Sequence, residues 1–205
     1  MGSADLAWQA SLFDSGAPSP DESFATLVRH QLDATAWLDH APAWLHGADA
    51  LFQTLLDSAP WQTSTQVIYD RSVETPRLVA HWPYEPGAVG LPPELERIRA
   101  LLAARYSREF DTVGANLYRD GRDSVAWHGD RIARAIKDPL VATISLGFPR
   151  RFLMRPRGGA TELALMLGQG DLVVMGGTSQ RTWQHTVPKV AHAGPRISVT
   201  LRHSR

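Results

Sequence analysis

The chain has 205 residues, 43% hydrophobic and 20% charged, which supports one sizeable core and argues against wholesale disorder. Lys+Arg and Asp+Glu both total 21, which excludes a histone-like polycation and an acidic tail protein. With no cysteine, disulfides, thiolate metal sites and a cysteine nucleophile are excluded, and a cytoplasmic setting is the expectation.

The neutral sum conceals a split. Residues 1–100 carry a net charge of −8, and residues 101–205 carry +8, almost all of the positive charge as arginine. Arginine offers a flat, forked donor array suited to carboxylates and phosphates. Mutual neutralisation of the halves in the fold is the plainer reading. The first 28 residues hold no Lys or Arg, so no signal-peptide n-region is expected. No apolar run approaches the roughly 20 residues of a membrane span. A monomer with no membrane contact is expected.

Residues 1–20 are small and polar and read as a loose N-terminal arm, with a single catalytic domain over 21–205. Residues 44–59, with Trp44, Leu51, Phe52, Leu55 and Leu56, predict a helix with one apolar face, ending near Pro60. Residues 65–70 are β-branched and aromatic and predict a strand. Residues 71–91 hold Pro76, Pro83, Pro86, Gly87 and Gly90 and read as an irregular, aromatic-bearing loop. Such a loop suits substrate contacts, and core packing of its rings is the alternative. Pro92-Pro93-Glu94 starts a second helix carrying Leu95, Ile98, Leu101 and Leu102.

After about residue 110 short β-type segments alternate with Gly, Pro and Asp turns: 112–118, 124–130, 140–147, 151–155, 161–167, 171–175, 182–187 and 196–202. That texture predicts a sandwich or barrel. The whole reads as α+β, helices first and then a β-core.

Four short patterns carry chemistry. In His128-Gly129-Asp130 the i and i+2 side chains of a strand share a face and converge on one point. Chance alone predicts roughly 0.5 such pairs here, so a surface contact is the duller reading. His185 follows an apolar strand and a Gly-Gly turn, where, taken alone, a buried, hydrogen-bonded histidine is the favoured reading over a ligand. Two His and one carboxylate make the facial set that suits non-haem Fe(II). In Arg196-Ile-Ser-Val-Thr-Leu-Arg202, Arg196, Ser198, Thr200 and Arg202 lie on one face and the apolar residues on the other. Facing inward, two guanidinium groups need anions, and a dicarboxylate could satisfy both; a wet strand face is the alternative. Asn116 and Tyr118 form a further i, i+2 pair able to donate to a carboxylate.

The order of these patterns resembles the AlkB family of Fe(II)/2-oxoglutarate-dependent dioxygenases. The segments are Asn116-Leu-Tyr-Arg-Asp-Gly121, Trp127-His-Gly-Asp130, Ile144-Ser-Leu-Gly147, Gly170-Asp-Leu-Val-Val-Met-Gly-Gly177, Gln184-His-Thr-Val-Pro188 and Arg196-Ile-Ser-Val-Thr-Leu-Arg202. The match covers roughly residues 92–205 and is looser over 60–91.

The resemblance implies a double-stranded β-helix, a jelly-roll core over about 110–205, with N-terminal helices packed outside and a substrate-recognition lid over about 60–91. It implies that His128, Asp130 and His185 hold Fe(II), with 2-oxoglutarate and O2 as co-substrates. Arg196 would pair with the far carboxylate of 2-oxoglutarate, and Arg202 would support the metal-bound end and Asp130. Asn116, Tyr118, Ser198 and Thr200 would complete that pocket. The implied reaction is oxidative removal of an N-methyl group, releasing formaldehyde, succinate and CO2. The implied partner is alkylated nucleic acid, single-stranded DNA first, with 1-methyladenine or 3-methylcytosine as the lesion and the base flipped to reach the metal. Tyr69, Arg71, Trp82, Tyr84, Arg155 and Arg157 are the candidate substrate contacts. The family often carries an acid two positions after the Asp ligand, and here that position is Ile132. The same chemistry on RNA, protein or a small metabolite is the alternative, and a non-catalytic jelly-roll binding module is the third.

Overall fold

The computed structural model describes residues 16–68, 71–83, 90–130, 132 and 135–203. The chain opens on four short strands: β1 (Ser19–Pro20), β2 (Val28–Gln31), β3 (Ala36–Ala41) and β4 (Leu45–His46). Helix α1 (Ala48–Ser58) follows, then β5 (Gln62–Ile68), β6 (Arg71–Pro83) and α2 (Pro93–Tyr106). The rest is β7 (Thr112–Tyr118), β8 (Val125–His128), β9 (Val141–Gly147), β10 (Arg150–Pro156), β11 (Leu163–Leu167) and β12 (Leu172–Gly177). One helical turn, α3 (Ser179–Thr182), precedes β13 (Trp183–Val187) and β14 (Arg196–Arg202).

The strands form two main antiparallel sheets. The large one runs β2-β3-β12-β9-β14-β7-β6-β5, and the small one runs β11-β10-β13-β8. β1 pairs with β4 alone.

Strand alternation divides the apolar residues into two cores. On one face of the large sheet Leu78, Ala80, Val113, Ala115, Leu117, Ala142, Ile144, Leu146, Ile197, Val199 and Leu201 pack against α1 and α2. Between the sheets Val141, Val173, Met175, Tyr118, Phe152, Met154, Trp183 and Val187 form the second. The inter-sheet face is where the polar residues of β14 lie.

Helix α1 buries Leu51, Phe52, Leu55 and Leu56 at the i, i+4 spacing of one face. It starts at Gly47, whose φ of 65° is left-handed and whose Cβ would collide with the Gly16 carbonyl, so only glycine fits. Trp44 therefore lies before the helix, buried and donating from Nε1 to the Asp21 carbonyl at 2.9 Å. Helix α2 opens on Pro92 and Pro93 with Glu94 and Glu96 in its first turn, and buries Leu95, Ile98 and Leu102.

Three expectations are corrected. The order is not helices first: four strands precede α1, and β2 and β3 extend the large sheet through the β3–β12 pairing. Residues 71–83, read as a loop, form β6, paired with both β5 and β7. The pairing jumps from Thr63↔Leu78 to Thr65↔Glu74, so Pro76 falls in the irregularity, where a missing N–H costs no ladder bond. Trp82 is not a lid contact: it is 7% exposed and belongs to the core under the helices. Trp82→Ala is therefore expected to cost about 3–5 kcal/mol of stability, read as a lowered urea midpoint. A variant with an unchanged midpoint and weakened substrate binding would overturn this placement. Tyr69 and Tyr84 lie outside the described residues, as does the side chain of Arg71.

Candidate active site

β8 and β13 pair in the small sheet with His128 opposite His185, so one register places two imidazoles side by side. Their ring centroids are 4.2 Å apart. Beyond β8 the chain leaves the ladder at Gly129, and Asp130 turns its carboxylate back: Oδ1 lies 3.6 Å from His128 Nε2. The ligand atoms of His128, Asp130 and His185 lie within 4.8 Å of one another.

Each donor is held from behind. His128 Nδ1 is 2.9 Å from the Ala126 carbonyl. A carbonyl only accepts, so Nδ1 carries the proton and the Nε2 lone pair is free. His185 is buried and stacks on Phe152 at 5.4 Å between centroids. Asp130 Oδ2 accepts from Arg202 Nε at 3.0 Å, leaving Oδ1 on the histidine side. Burial works to raise the Asp130 pKa, but His128, Arg202 and His185 around it hold it well below the usual carboxylate range. Asp130 is therefore an anion here. Its backbone N–H donates to Gln180 Oε1 at 2.8 Å.

Burial, reinforced by the neighbouring His128, pushes the His185 pKa down to about 3. A histidine with a depressed folded pKa is protonated more readily in the unfolded chain. Its contribution to stability is present above an unfolded pKa of about 6.5 and is lost as pH falls toward the folded value. The metal-free protein is therefore expected to lose stability from about pH 6.5 downward, with a slope approaching ~1.4 kcal/mol per pH unit. Urea midpoints at pH 7.5 and pH 5 check this, and equal midpoints would refute it.

The inter-sheet face of β14 continues the site. Arg196 is 1% exposed, Ser198 and Thr200 are buried, and Arg202 stands at the Asp130 end. Arg196 Nε donates to Ser145 Oγ at 3.0 Å, and its guanidinium lies 5.2 Å from the Tyr118 ring centre. Among the described residues its Nη1 has no hydrogen-bond partner. Burial lowers the Arg196 pKa. A buried cation with an unused donor implies an anionic ligand. Asn116, opposite Ser198 across the β7–β14 ladder, accepts from Arg77 Nε at 2.9 Å.

A cleft of about 600 Å³ opens beside the triad, lined among others by Trp127, His128, Asp130, Ile132, Pro139 and Arg157. Arg157 reaches it, with Nε donating to the Arg181 carbonyl at 3.1 Å. Arg155 is not itself in the lining but packs on two residues that are: it lies 4.2 Å over the Trp127 ring and donates to Gln184 Oε1 at 3.2 Å. Ile132 packs against the inter-sheet core while lining the cleft.

Sequence reasoning missed Arg77, Ser145, Arg150 and Gln180. Ser145 had a signal, since Thr143 and Ser145 are the polar positions of an otherwise apolar strand. Arg150 is 2% exposed and donates to the carbonyls of Asp120, Asp123 and Pro188, tying the ends of β7 and β13 together. Its neighbour Arg151 is exposed, and nothing local distinguishes the two.

Two sheets enclosing a His-x-Asp…His set and a buried arginine define a metal-dependent oxygenase site of the jelly-roll type. Comparison with known proteins agrees. The family model of the 2OG-Fe(II) oxygenase superfamily matches residues 40–202. The bovine alpha-ketoglutarate-dependent dioxygenase alkB homolog 3 is 32% identical over 177 residues, covering 77% of this chain and 62% of that protein. The human homolog 3 is 30% identical over 174 residues, covering 76% and 61%. The DNA oxidative demethylase ALKBH2 of Arabidopsis thaliana is 28% identical over 189 residues, covering 74% and 60%. The solved structure of OsALKBH1 superposes with a TM-score of 0.60 at 16% identity, covering 86% of this chain and all of that one, which speaks to the fold. The chain belongs to the 2OG-Fe(II) oxygenase superfamily, in its AlkB branch. It spans about 60% of the length of the curated relatives it matches.

That family uses Fe(II), with 2-oxoglutarate and O2 as co-substrates. The donor set fits the metal: two imidazoles and one anionic carboxylate suit a divalent ion with open positions. The unused Nη1 of Arg196 fits the free carboxylate of 2-oxoglutarate. Among the described residues no helix is long and apolar enough to cross a membrane.

Proposed function

We propose that this protein is an Fe(II)/2-oxoglutarate-dependent dioxygenase that removes N-methyl groups from 1-methyladenine and 3-methylcytosine in DNA, releasing formaldehyde, succinate and CO2. The observation that carries the reading is the convergence of His128, Asp130 and His185 beside a buried arginine with an unused donor. The similarity to ALKBH2, a DNA oxidative demethylase, supports the substrate class, and the similarity to homolog 3, an alpha-ketoglutarate-dependent dioxygenase, supports the chemistry.

In this reading His128 Nε2, Asp130 Oδ1 and the His185 imidazole hold the metal. Arg196 binds the far carboxylate of 2-oxoglutarate. Tyr118, Ser198 and Thr200 line the pocket, and Asn116, braced by Arg77, closes its wall. Arg202 keeps Asp130 ionised and turned inward. When bound, the metal would activate O2, the oxidant, with 2-oxoglutarate consumed as co-substrate, and the protein orients the reactants and excludes water. No side chain needs to act as an acid or base on the methyl group.

The flipped base would enter the cleft at Trp127 and Arg157. Single-stranded DNA is the preferred partner because a base outside a duplex pays less to unstack. Binding is expected to weaken with added salt, as phosphate contacts do. The working unit is a cytoplasmic monomer. Its catalytic domain spans residues 21–205, with the jelly-roll core over about 110–205.

The test is incubation with Fe(II), 2-oxoglutarate and an oligonucleotide carrying either lesion, following formaldehyde, succinate and the restored base. Succinate without base repair sinks the substrate assignment while leaving the chemistry intact. One observation favours a second reading. Ile132 gives the cleft an apolar wall beside Asp130, where an acid would favour a cationic base. RNA, a protein side chain or a small metabolite then becomes the substrate, and competition among these and methylated DNA decides.

A further inference from the structure

The carboxylate of Asp130 is steered by Arg202 and faces His128, but that alone does not place its backbone. Residues 129 and 130 lie beyond the end of β8, and neither belongs to a strand. The Asp130 N–H therefore has no ladder partner, and a buried donor left unpaired costs about 1–3 kcal/mol. Gln180 supplies the acceptor, through Oε1 at 2.8 Å. We propose that Gln180 is the positioning residue that sets Asp130 as a metal ligand, acting through the Asp130 backbone; this rests on the assignment of Asp130 to the metal.

Gln180 is suited to that task. It is 4% exposed, and its Nε2 faces Met175 Sδ at 3.4 Å. A thioether accepts and cannot donate, so the amide has one orientation, with Oε1 toward Asp130. The approach is close: a Cβ on Gly129 would collide with the Gln180 carbonyl, so glycine is required between the two ligands. The same helical turn also fixes its surroundings, since Arg181 donates to the Ile136 carbonyl and the Arg157 N–H to the Thr182 carbonyl at 2.8 Å. Helix α3 runs directly into β13, so His185 lies five residues after Gln180 on the same rigid run. One turn of helix thus sets the spacing between two ligands that are 55 residues apart in sequence.

Groups that orient a ligand from behind are typically worth 10–100-fold in metal affinity. The experiment titrates Mn(II) alone into the purified full chain and its Gln180→Met, Gln180→Glu and Asp130→Ala variants, by calorimetry, without oxygen chemistry or nucleic acid. Methionine keeps the length and removes the acceptor; glutamate keeps the acceptor. Gln180→Met is expected to bind Mn(II) roughly tenfold or more weakly, and Gln180→Glu to stay near wild type. Wild-type affinity in Gln180→Met overturns the proposal, as does an equal loss in both variants, which would assign the effect to packing. Asp130→Ala binding Mn(II) like wild type overturns the metal assignment itself; its loss beside an intact Gln180→Met overturns only the role of Gln180. Should Gln180→Met fail to fold, amide exchange in the metal-free wild type decides. The Asp130 amide is expected to be protected, and exchange at the unprotected rate overturns the proposal.

Discussion

Exchange of Arg196 for methionine is expected to weaken 2-oxoglutarate binding by roughly 30- to 3,000-fold, the equivalent of about 2–5 kcal/mol. The same exchange is expected to make the ligand-free protein harder to unfold. Arg196 is fully enclosed, its Nε is spent on Ser145, its Nη1 has no partner among the described residues, and burial lowers its pKa. A buried ion without an ionic partner costs several kcal/mol, and an apolar residue of similar volume removes that cost. The ligand-free protein carries this penalty, and a dicarboxylate bound at Arg196 would relieve it. Calorimetry with 2-oxoglutarate in the presence of Mn(II), together with urea midpoints without ligand, measures both halves. Unchanged 2-oxoglutarate affinity would remove Arg196 from the pocket. A lower midpoint would mean that the guanidinium stabilises the ligand-free fold.

Loss of His185 is expected to be more severe for the metal. His185→Ala deletes one of three donors, so its effect on Mn(II) affinity should exceed the roughly 10–100-fold that follows loss of an outer partner. Turnover should fall below detection. The clean measurement is the thermal shift on adding Mn(II): a metal that binds only the folded state raises the melting temperature. The wild type should shift and the variant should not. The alanine also opens a space between His128 and Phe152, so the variant's own melting temperature is expected to fall. For that reason the shift, and not the absolute temperature, is the decisive reading. A full shift in His185→Ala would exclude this imidazole from the metal.

The parts of this protein that could be read from its sequence are those whose information is local. From residue 112 on, every expected β segment is a strand or contains one, because alternation, β-branched residues and turn residues all point the same way. The face assignment of β14 follows from alternation alone: Ile197, Val199 and Leu201 pack under the helices, and the polar set faces the small sheet. His128-Gly-Asp130 is legible as a pattern but not through alternation: β8 ends at His128, and Asp130 turns back toward it from beyond the strand. The misses are non-local. β2 is mostly exposed and β3 is short, and their place in the large sheet depends on β12, more than 130 residues away. β6 was obscured by Pro76 and Pro83, although Arg77 to Trp82 alternate, with Leu78, Ala80 and Trp82 inward. Gln180 and Arg77 give no sequence signal, because each matters through hydrogen bonds made across the fold.

β8 is the edge strand of the small sheet, and among the described residues its ladder partner is β13, with an irregular register between His185 and Val187. A four-residue edge strand is the kind of segment that opens at a small fraction of the global unfolding free energy. One candidate histidine donor therefore lies on an edge strand, while the other lies inside the sheet between β10 and β8. If the triad holds an ion, opening of this one edge would expose it without global unfolding, so metal exchange would be faster than unfolding of the whole protein.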